Sequence, residues 1–87
     1  MPTVFIPTMM RDLTGGVDRV EVAGTNVREA IESLDDQFPG LRDRLCRADA
    51  LAPGLQVSID NVMNSRGLRA KLGPHSAIHF IPAIGGG

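Results

Sequence analysis

The chain has 87 residues and a mass of 9.3 kDa, enough for one small domain. Its net charge of -1 and its 3% aromatic content disfavour nucleic-acid binding, because phosphates need a basic excess and bases need rings for stacking. No apolar run approaches the ~20 residues of a membrane span, and the lone Cys46 can form neither an internal disulfide nor a cysteine-based zinc site. We therefore expect a cytoplasmic protein, monomeric when free, that binds neither nucleic acid nor membrane.

The first 22 residues predict a β-hairpin. Residues 3–10 are rich in β-branched and apolar side chains, and residues 17–22 alternate valines with charged side chains. Thr14-Gly15-Gly16 lies between these runs and is typical of a turn.

The next segment predicts the main helix. Asn26 is a favourable N-cap, and Glu29 follows three residues later, as in a capping box. Pro39-Gly40 ends this helix, and residues 41–45 predict a second, short one. The apolar stripe of the main helix comprises Val27, Ala30, Ile31, Leu34 and Phe38.

The remaining residues predict more strands. Residues 55–60 alternate apolar and polar side chains, and residues 62–63 form a stub of a further strand. Leu68 and Leu72 suit a short helical turn. Residues 77–81 are apolar enough for a central strand, which Pro82 ends.

This order predicts an α+β fold of the β-grasp, ubiquitin-like type. We expect a mixed sheet of four to five strands, with the first and last strands at its centre, one main helix on one face and short extra helices. Strand parity leaves Phe5, His79 and Ile81 on the bare face of the sheet. The predicted inward set is Val4, Ile6, Val20, Val22, Val27, Ile31, Leu34, Leu55, Val57, Ile59, Ile78 and Phe80.

The side chains predict neither a catalytic nor a metal site. His75 follows a proline in a turn, and His79 suits partner contact better than metal ligation. Cys46 suits a half-buried thiol, although Arg44 and Arg47 flank it and could lower its pKa. We expect the acidic pair Asp35-Asp36 on the solvated side of the main helix, and Asp60 is likewise not assigned to catalysis.

The end of the sequence carries the most specific chemistry. We divide the chain into a domain of residues 1–82 and a flexible glycine-rich tail of residues 83–87. The tail can extend roughly 17 Å from a core strand, and glycines let a partner's channel close tightly on its backbone. Ile84 is apolar and could dock there. The carboxylate of Gly87 is a poor electrophile until ATP activates it as an acyl-adenylate, after which a sulfur donor could displace AMP.

Three stretches resemble the ubiquitin-like sulfur carrier proteins of the ThiS/MoaD family. They are Ile6-Pro7-Thr8 with Arg11 and Thr14-Gly15-Gly16, the helix start from Asn26 to Leu34, and the ending from Phe80 to Gly87. Pro82 is the sixth residue from the end, counted inclusively, as in the family pattern, and Gly85 replaces the pattern's variable small residue. The Thr-Gly-Gly opening is most similar to the subgroup associated with cysteine biosynthesis, often called CysO.

The resemblance implies a protein cosubstrate rather than an enzyme. A MoeB/ThiF-type activating enzyme would use ATP to adenylate Gly87, and this chain would hold no permanent cofactor. A pyridoxal-phosphate-dependent cysteine synthase would then take the sulfur. The molybdopterin precursor, the thiazole of thiamine and sulfur-containing secondary metabolites are alternative acceptors. The expected partner-binding residues are Phe5, His79, Ile81 and Ile84, and the reacting tail is Gly85, Gly86 and Gly87.

Two alternatives stay open. The chain could be a ubiquitin-like modifier joined to protein lysines, although ubiquitin has an arginine where Ala83 stands. It could also be a β-grasp interaction subunit whose tail is inert.

Overall fold

The computed structural model describes residues 1–82, which form one sheet, two α-helices and a small ribbon. Short 3-10 helices cover Thr8–Met10 and Gly67–Arg69. The elements in chain order are β1 (Thr3–Phe5), β2 (Arg19–Glu21), α1 (Val27–Gln37), α2 (Leu41–Leu45), β3 (Cys46–Arg47), β4 (Ala50–Leu51), β5 (Leu55–Ile59), β6 (Val62–Asn64) and β7 (Ala77–Pro82).

The main sheet has five strands in the order β2-β1-β7-β5-β6. The central strand β7 runs parallel to β1, where Val4 lies opposite Ile78, and antiparallel to β5, where Val57 lies opposite Phe80. The outer pairs β1–β2 and β5–β6 are antiparallel. The mixed sheet, the hairpin and the central position of the most apolar strand are confirmed.

The first strand is shorter than the sequence predicts. It ends at Phe5, and residues 8–10 form a 3-10 turn instead of continuing the strand. Ile6 still donates its N–H to the carbonyl oxygen of Asp18 at 2.8 Å, but Pro7 has no N–H to extend the ladder. The ribbon of β3 and β4 is an element that the sequence did not predict.

The core lies between the sheet and α1. Ten of the twelve predicted inward residues are buried, whereas Leu55 and Ile59, the two end residues of β5, are half-buried. The buried apolar residues outside that predicted set are Met10, Ala30, Leu41, Leu45, Leu68 and Ala70.

The start of α1 confirms the predicted cap with one difference. The Asn26 Oδ1 atom accepts the Glu29 backbone N–H at 2.8 Å. The Glu29 carboxylate reaches Thr25, accepting its N–H at 2.8 Å and its hydroxyl at 2.9 Å, rather than the N–H of the cap residue. At Gly24, with φ +144°, an added Cβ would lie 2.8 Å from the Glu29 Cβ, so this approach to the helix requires glycine.

Two carboxylates that the sequence did not assign to chemistry have structural roles. Asp35 is half-buried and its Oδ1 atom accepts the N–H groups of Gly40 and Arg42, both at 3.0 Å, which caps α2. Asp60 accepts the N–H of Ala77 at 2.9 Å and thereby ties the β5–β6 turn to the start of β7. The interpretation of Asp35 as a solvated side chain was wrong, because the chain turns back over it at Pro39-Gly40.

Candidate functional site: the open sheet face and the base of the tail

The face of the sheet opposite α1 carries a row of side chains that crosses all five strands. Strand register sets it: Arg19 lies opposite Phe5, Phe5 opposite His79, His79 opposite Ser58, and Ser58 opposite Met63. We call this set the cross-strand row. The parity predicted for Phe5 and His79 is confirmed, since both side chains alternate with the buried residues of their strands.

The aromatic members of the cross-strand row stack on each other. The rings of Phe5 and His79 have centroids 4.3 Å apart and planes 7° apart. The Arg19 guanidinium lies over the Phe5 ring, 5.5 Å from the ring centroid. Both rings are half-buried, so the stacked pair remains partly accessible to solvent.

All members of the row except Arg19 line a shallow groove of about 620 Å³. Ile81, whose side chain is 38% exposed, lies in the same groove, so its predicted position on the open face is confirmed. The groove is lined by Phe5, Ile6, Pro7, Thr8, Arg11, Ser58, Asn61, Met63, His79, Phe80 and Ile81. The groove is open to solvent, and apolar side chains make up about half of its lining.

Arg11 is fixed at the edge of this groove by the loop that connects β1 to β2. Its Nε atom donates to the carbonyl oxygen of Ile6 at 3.2 Å. The loop is held by the buried Thr14, whose hydroxyl donates to the carbonyl oxygen of Val17 at 2.8 Å. Gly15 and Gly16, at φ +65° and +91°, supply the left-handed turn that follows. The predicted Thr-Gly-Gly turn therefore positions a cation on the open face.

The last described residues continue the central strand β7. Ile81 lies opposite Gln56 and Pro82 opposite Leu55, so the ladder between β7 and β5 continues to the end of the described chain. The strand thus includes Pro82 rather than ending before it. Ile84, Gly85, Gly86 and Gly87 lie outside the described residues, as does the whole predicted tail, 83–87.

Cys46 lies away from the groove, at the junction of α2 and β3. Burial raises the pKa of its thiol, and Arg42 and Arg28 oppose that shift only in part. The expectation that Arg44 and Arg47 act on it was wrong. The physical reason is that Cys46 ends α2, where its N–H bonds the Arg42 carbonyl oxygen, and the helical turn brings Arg42 rather than its sequence neighbours to the thiol.

The other candidate groups remain dispersed. His75 is exposed in the loop before β7 and takes no part in the groove. No cluster of three or more His, Cys, Asp or Glu side chains suited to a metal ion occurs within residues 1–82. In the same range, no helix has the length and apolar character needed to cross a bilayer.

The sequence reasoning missed Arg11, Arg19, Ser58 and Met63 as members of this face. Arg11 lies in the β1–β2 loop, and the strands of the other three are paired by long-range register, which a local pattern does not reveal. The signal that could have found Arg19 is its alternation with Val20, once β2 was placed beside β1.

Comparison with known proteins agrees with this geometry. Residues 4–87 match the ThiS family. The sulfur carrier protein CysO of Mycobacterium tuberculosis H37Rv is 30% identical over 92 residues, which cover 98% of this chain and 97% of that protein. A chain in the crystal structure of the Amycolatopsis orientalis BexX/CysO complex superposes with a TM-score of 0.91 and 31% identity, with complete coverage of both chains.

A more distant structure shows the same fold. The solution structure of small archaeal modifier protein 1 from Methanosarcina acetivorans superposes with a TM-score of 0.77 at 21% identity, covering 99% of this chain and 95% of that one. The β-grasp arrangement, the match across almost the whole length and the carrier relatives lead to one conclusion. This chain is a ubiquitin-like sulfur carrier protein and belongs to the ThiS family.

Proposed function

We propose that the carboxylate of Gly87 is the sulfur-carrying group and that an adenylating enzyme of the MoeB/ThiF type activates it. The carboxylate attacks the α-phosphate of ATP and releases pyrophosphate, which gives an acyl-adenylate. Hydrosulfide then attacks the acyl carbon and displaces AMP, which leaves a thiocarboxylate. The chain contributes the carboxylate, and the partner contributes the catalytic groups.

One observation carries this proposal. The segment that precedes the glycines is the central strand of the sheet, and it stays paired with β5 as far as Pro82 opposite Leu55. A carboxylate five residues beyond a rigid strand has a fixed origin and a reach of roughly 17 Å. The apolar groove that ends at Ile81 adjoins the same strand, so one partner can bind the groove and receive the tail together.

The acceptor that we propose is a pyridoxal-phosphate-dependent cysteine synthase, since the similar carriers are CysO proteins. The thiocarboxylate sulfur is a soft nucleophile suited to an electrophilic carbon on such an acceptor. We also propose a cytoplasmic location, because the activation step consumes ATP.

Intact-mass measurement tests the proposal. The chain is incubated with ATP, sulfide and a purified MoeB/ThiF-type enzyme from the organism that makes it. We expect a mass gain equal to replacement of one oxygen by sulfur, and its localisation to Gly87 by fragmentation. The same spectrum of the untreated protein checks that Gly87 is the C-terminal residue, which the proposal requires. A ladder of conjugates on lysines, with no thiocarboxylate, would support the modifier function instead.

A further inference from the structure

Charge is distributed unevenly between the two faces of the domain. The side chains that line the groove include Arg11 and His79 and, within residues 1–82, no carboxylate. The opposite face is formed by α1, which carries one arginine and the four carboxylates Glu29, Glu32, Asp35 and Asp36. Within residues 1–82, the groove therefore carries a cation and no carboxylate, whereas α1 is acidic.

Arg11 is the cation best placed to act on a bound partner. Its Nε atom is occupied by the Ile6 carbonyl oxygen, which orients the guanidinium, and it forms no ion pair with any residue in the described range 1–82. Arg19, by comparison, has Asp18 at 3.8 Å from its Nε atom and lies over Phe5. The terminal nitrogens of Arg11 thus remain available at the groove edge.

Arg11 also lies toward the end of the groove where the tail begins. Because β1 is parallel to β7 and Phe5 lies opposite His79, the chain that follows Phe5 runs beside the residues that lead to Ile81. Arg11 donates a hydrogen bond to Ile6, the first residue after Phe5, and lines the same groove as Ile81. A carboxylate bound by Arg11 would fix the partner close to the start of the tail.

We propose that Arg11 selects the adenylating enzyme by binding a carboxylate on an otherwise apolar docking surface of that enzyme. Phe5 and Ile81 supply the apolar contact, and the planar guanidinium supplies a directional, charge-assisted hydrogen bond. The proposal rests on the function proposed above, because it names the chemistry of the partner that activates Gly87. It requires an acidic side chain on the docking surface of the enzyme, whereas docking through apolar contact alone would not.

Binding and adenylation are measured separately with the full chain and the purified MoeB/ThiF-type enzyme. The variants are Arg11→Glu, Arg11→Lys and the matched control Arg47→Glu, which makes the same charge change at an exposed site on the β3–β4 ribbon. We expect Arg11→Glu to raise the Kd and the KM for the carrier by about tenfold or more at low salt. Arg11→Lys should lie between it and the wild type, and Arg47→Glu should match the wild type.

Ionic strength gives a second readout that a structural role would not produce. The wild-type Kd should rise with sodium chloride concentration. The Kd of Arg11→Glu should rise less steeply with salt, or fall. Melting curves of both Arg11 variants show whether loss of the hydrogen bond to Ile6 unfolds the domain. Arg11→Lys keeps the positive charge without the guanidinium, so it distinguishes the effect of the charge from the effect of that hydrogen bond.

Equal binding by Arg11→Glu and wild type at low salt would overturn the role of Arg11, as would equal weakening by Arg47→Glu. Failure of the wild type to form an adenylate would instead count against the proposed activation of Gly87. The binding curves still decide on Arg11 in that case, because complex formation is titrated without ATP.

Discussion

The imidazole of His79 lies parallel to the ring of Phe5, 4.3 Å away between centroids, although the two residues are 74 positions apart in the sequence. The parallel pairing of β1 with β7 brings them together. Each ring limits the rotation of the other, so these side chains lose little conformational entropy when a partner binds the open face.

Ile81→Asp should weaken the complex with the adenylating enzyme by at least about 2 kcal/mol, the magnitude of an interface hot spot. The side chain is exposed in the groove, so a carboxylate there adds a desolvation cost on binding and little cost in the free domain. Pull-down and thermal melting of the same variant measure both effects.

Val62→Asp is the matched control, since Val62 is 66% exposed and lies outside the groove. It should bind normally. Normal binding by Ile81→Asp together with a collapsed melting temperature would show that Ile81 stabilises the fold rather than the complex.

Deletion of Gly87, or Gly86→Val, should abolish adenylation because the carboxylate is removed or its approach through a narrow channel is blocked. Both positions follow the ordered ladder that ends at Pro82, so the melting temperature should stay within about 2 °C of the wild type. Gly85→Ala is the control, because the corresponding family position tolerates a small side chain. A chain without Gly87 that still accepts sulfur would refute the carrier mechanism.

Cys46→Ser should retain sulfur-carrying activity, because the sulfur is bound to the carboxyl carbon of Gly87. The thiol is half-buried and burial raises its pKa, so little thiolate is present to react at neutral pH. The loss of packing should cost about 1 kcal/mol or less. Intact-mass analysis after charging checks this, and a folded variant that cannot be charged would identify Cys46 as the carrier instead.

Acid should weaken the start of α1 through Glu29. Hydrogen bonds from the backbone N–H and the hydroxyl of Thr25 hold the pKa of Glu29 below its ordinary value of 4.5. The folded state therefore binds fewer protons than the unfolded state, and the contribution is present above pH 4.5 and lost as the pH falls through the lowered pKa.

Denaturant titrations between pH 2 and pH 7 measure this effect. The stability of Glu29→Gln should fall less steeply in acid than that of the wild type, whereas Glu32→Gln, an exposed change one turn later, should follow the wild type. If the free energy of unfolding fell equally steeply in acid for Glu29→Gln and wild type, the contact between Glu29 and Thr25 would not stabilise the protein in solution.

Local sequence patterns predicted the features that depend on neighbouring residues. The N-cap at Asn26, the end of α1 near Pro39-Gly40 and the alternation of β5 all follow from spacing within a few residues. The ribbon was missed because two-residue strands leave no periodicity, and its turn depends on Ala48 at φ +55°, a conformation that alanine rarely adopts.

The candidate site was predictable only in part. Parity placed Phe5, His79 and Ile81 on one face, but their neighbours depend on which strands pair. Arg11 reached the groove through a loop held by the buried Thr14, a contact that no periodic pattern encodes.

The parallel contact between β1 and β7 also sets the time at which this protein can fold. Strand β1, at the start of the chain, pairs with β7, at its far end. The sheet is therefore complete only after residues 77–82 have been synthesised. Contacts between such distant segments form late and slowly. A chain that stops before β7 lacks the centre of its sheet and cannot present the open face to a partner.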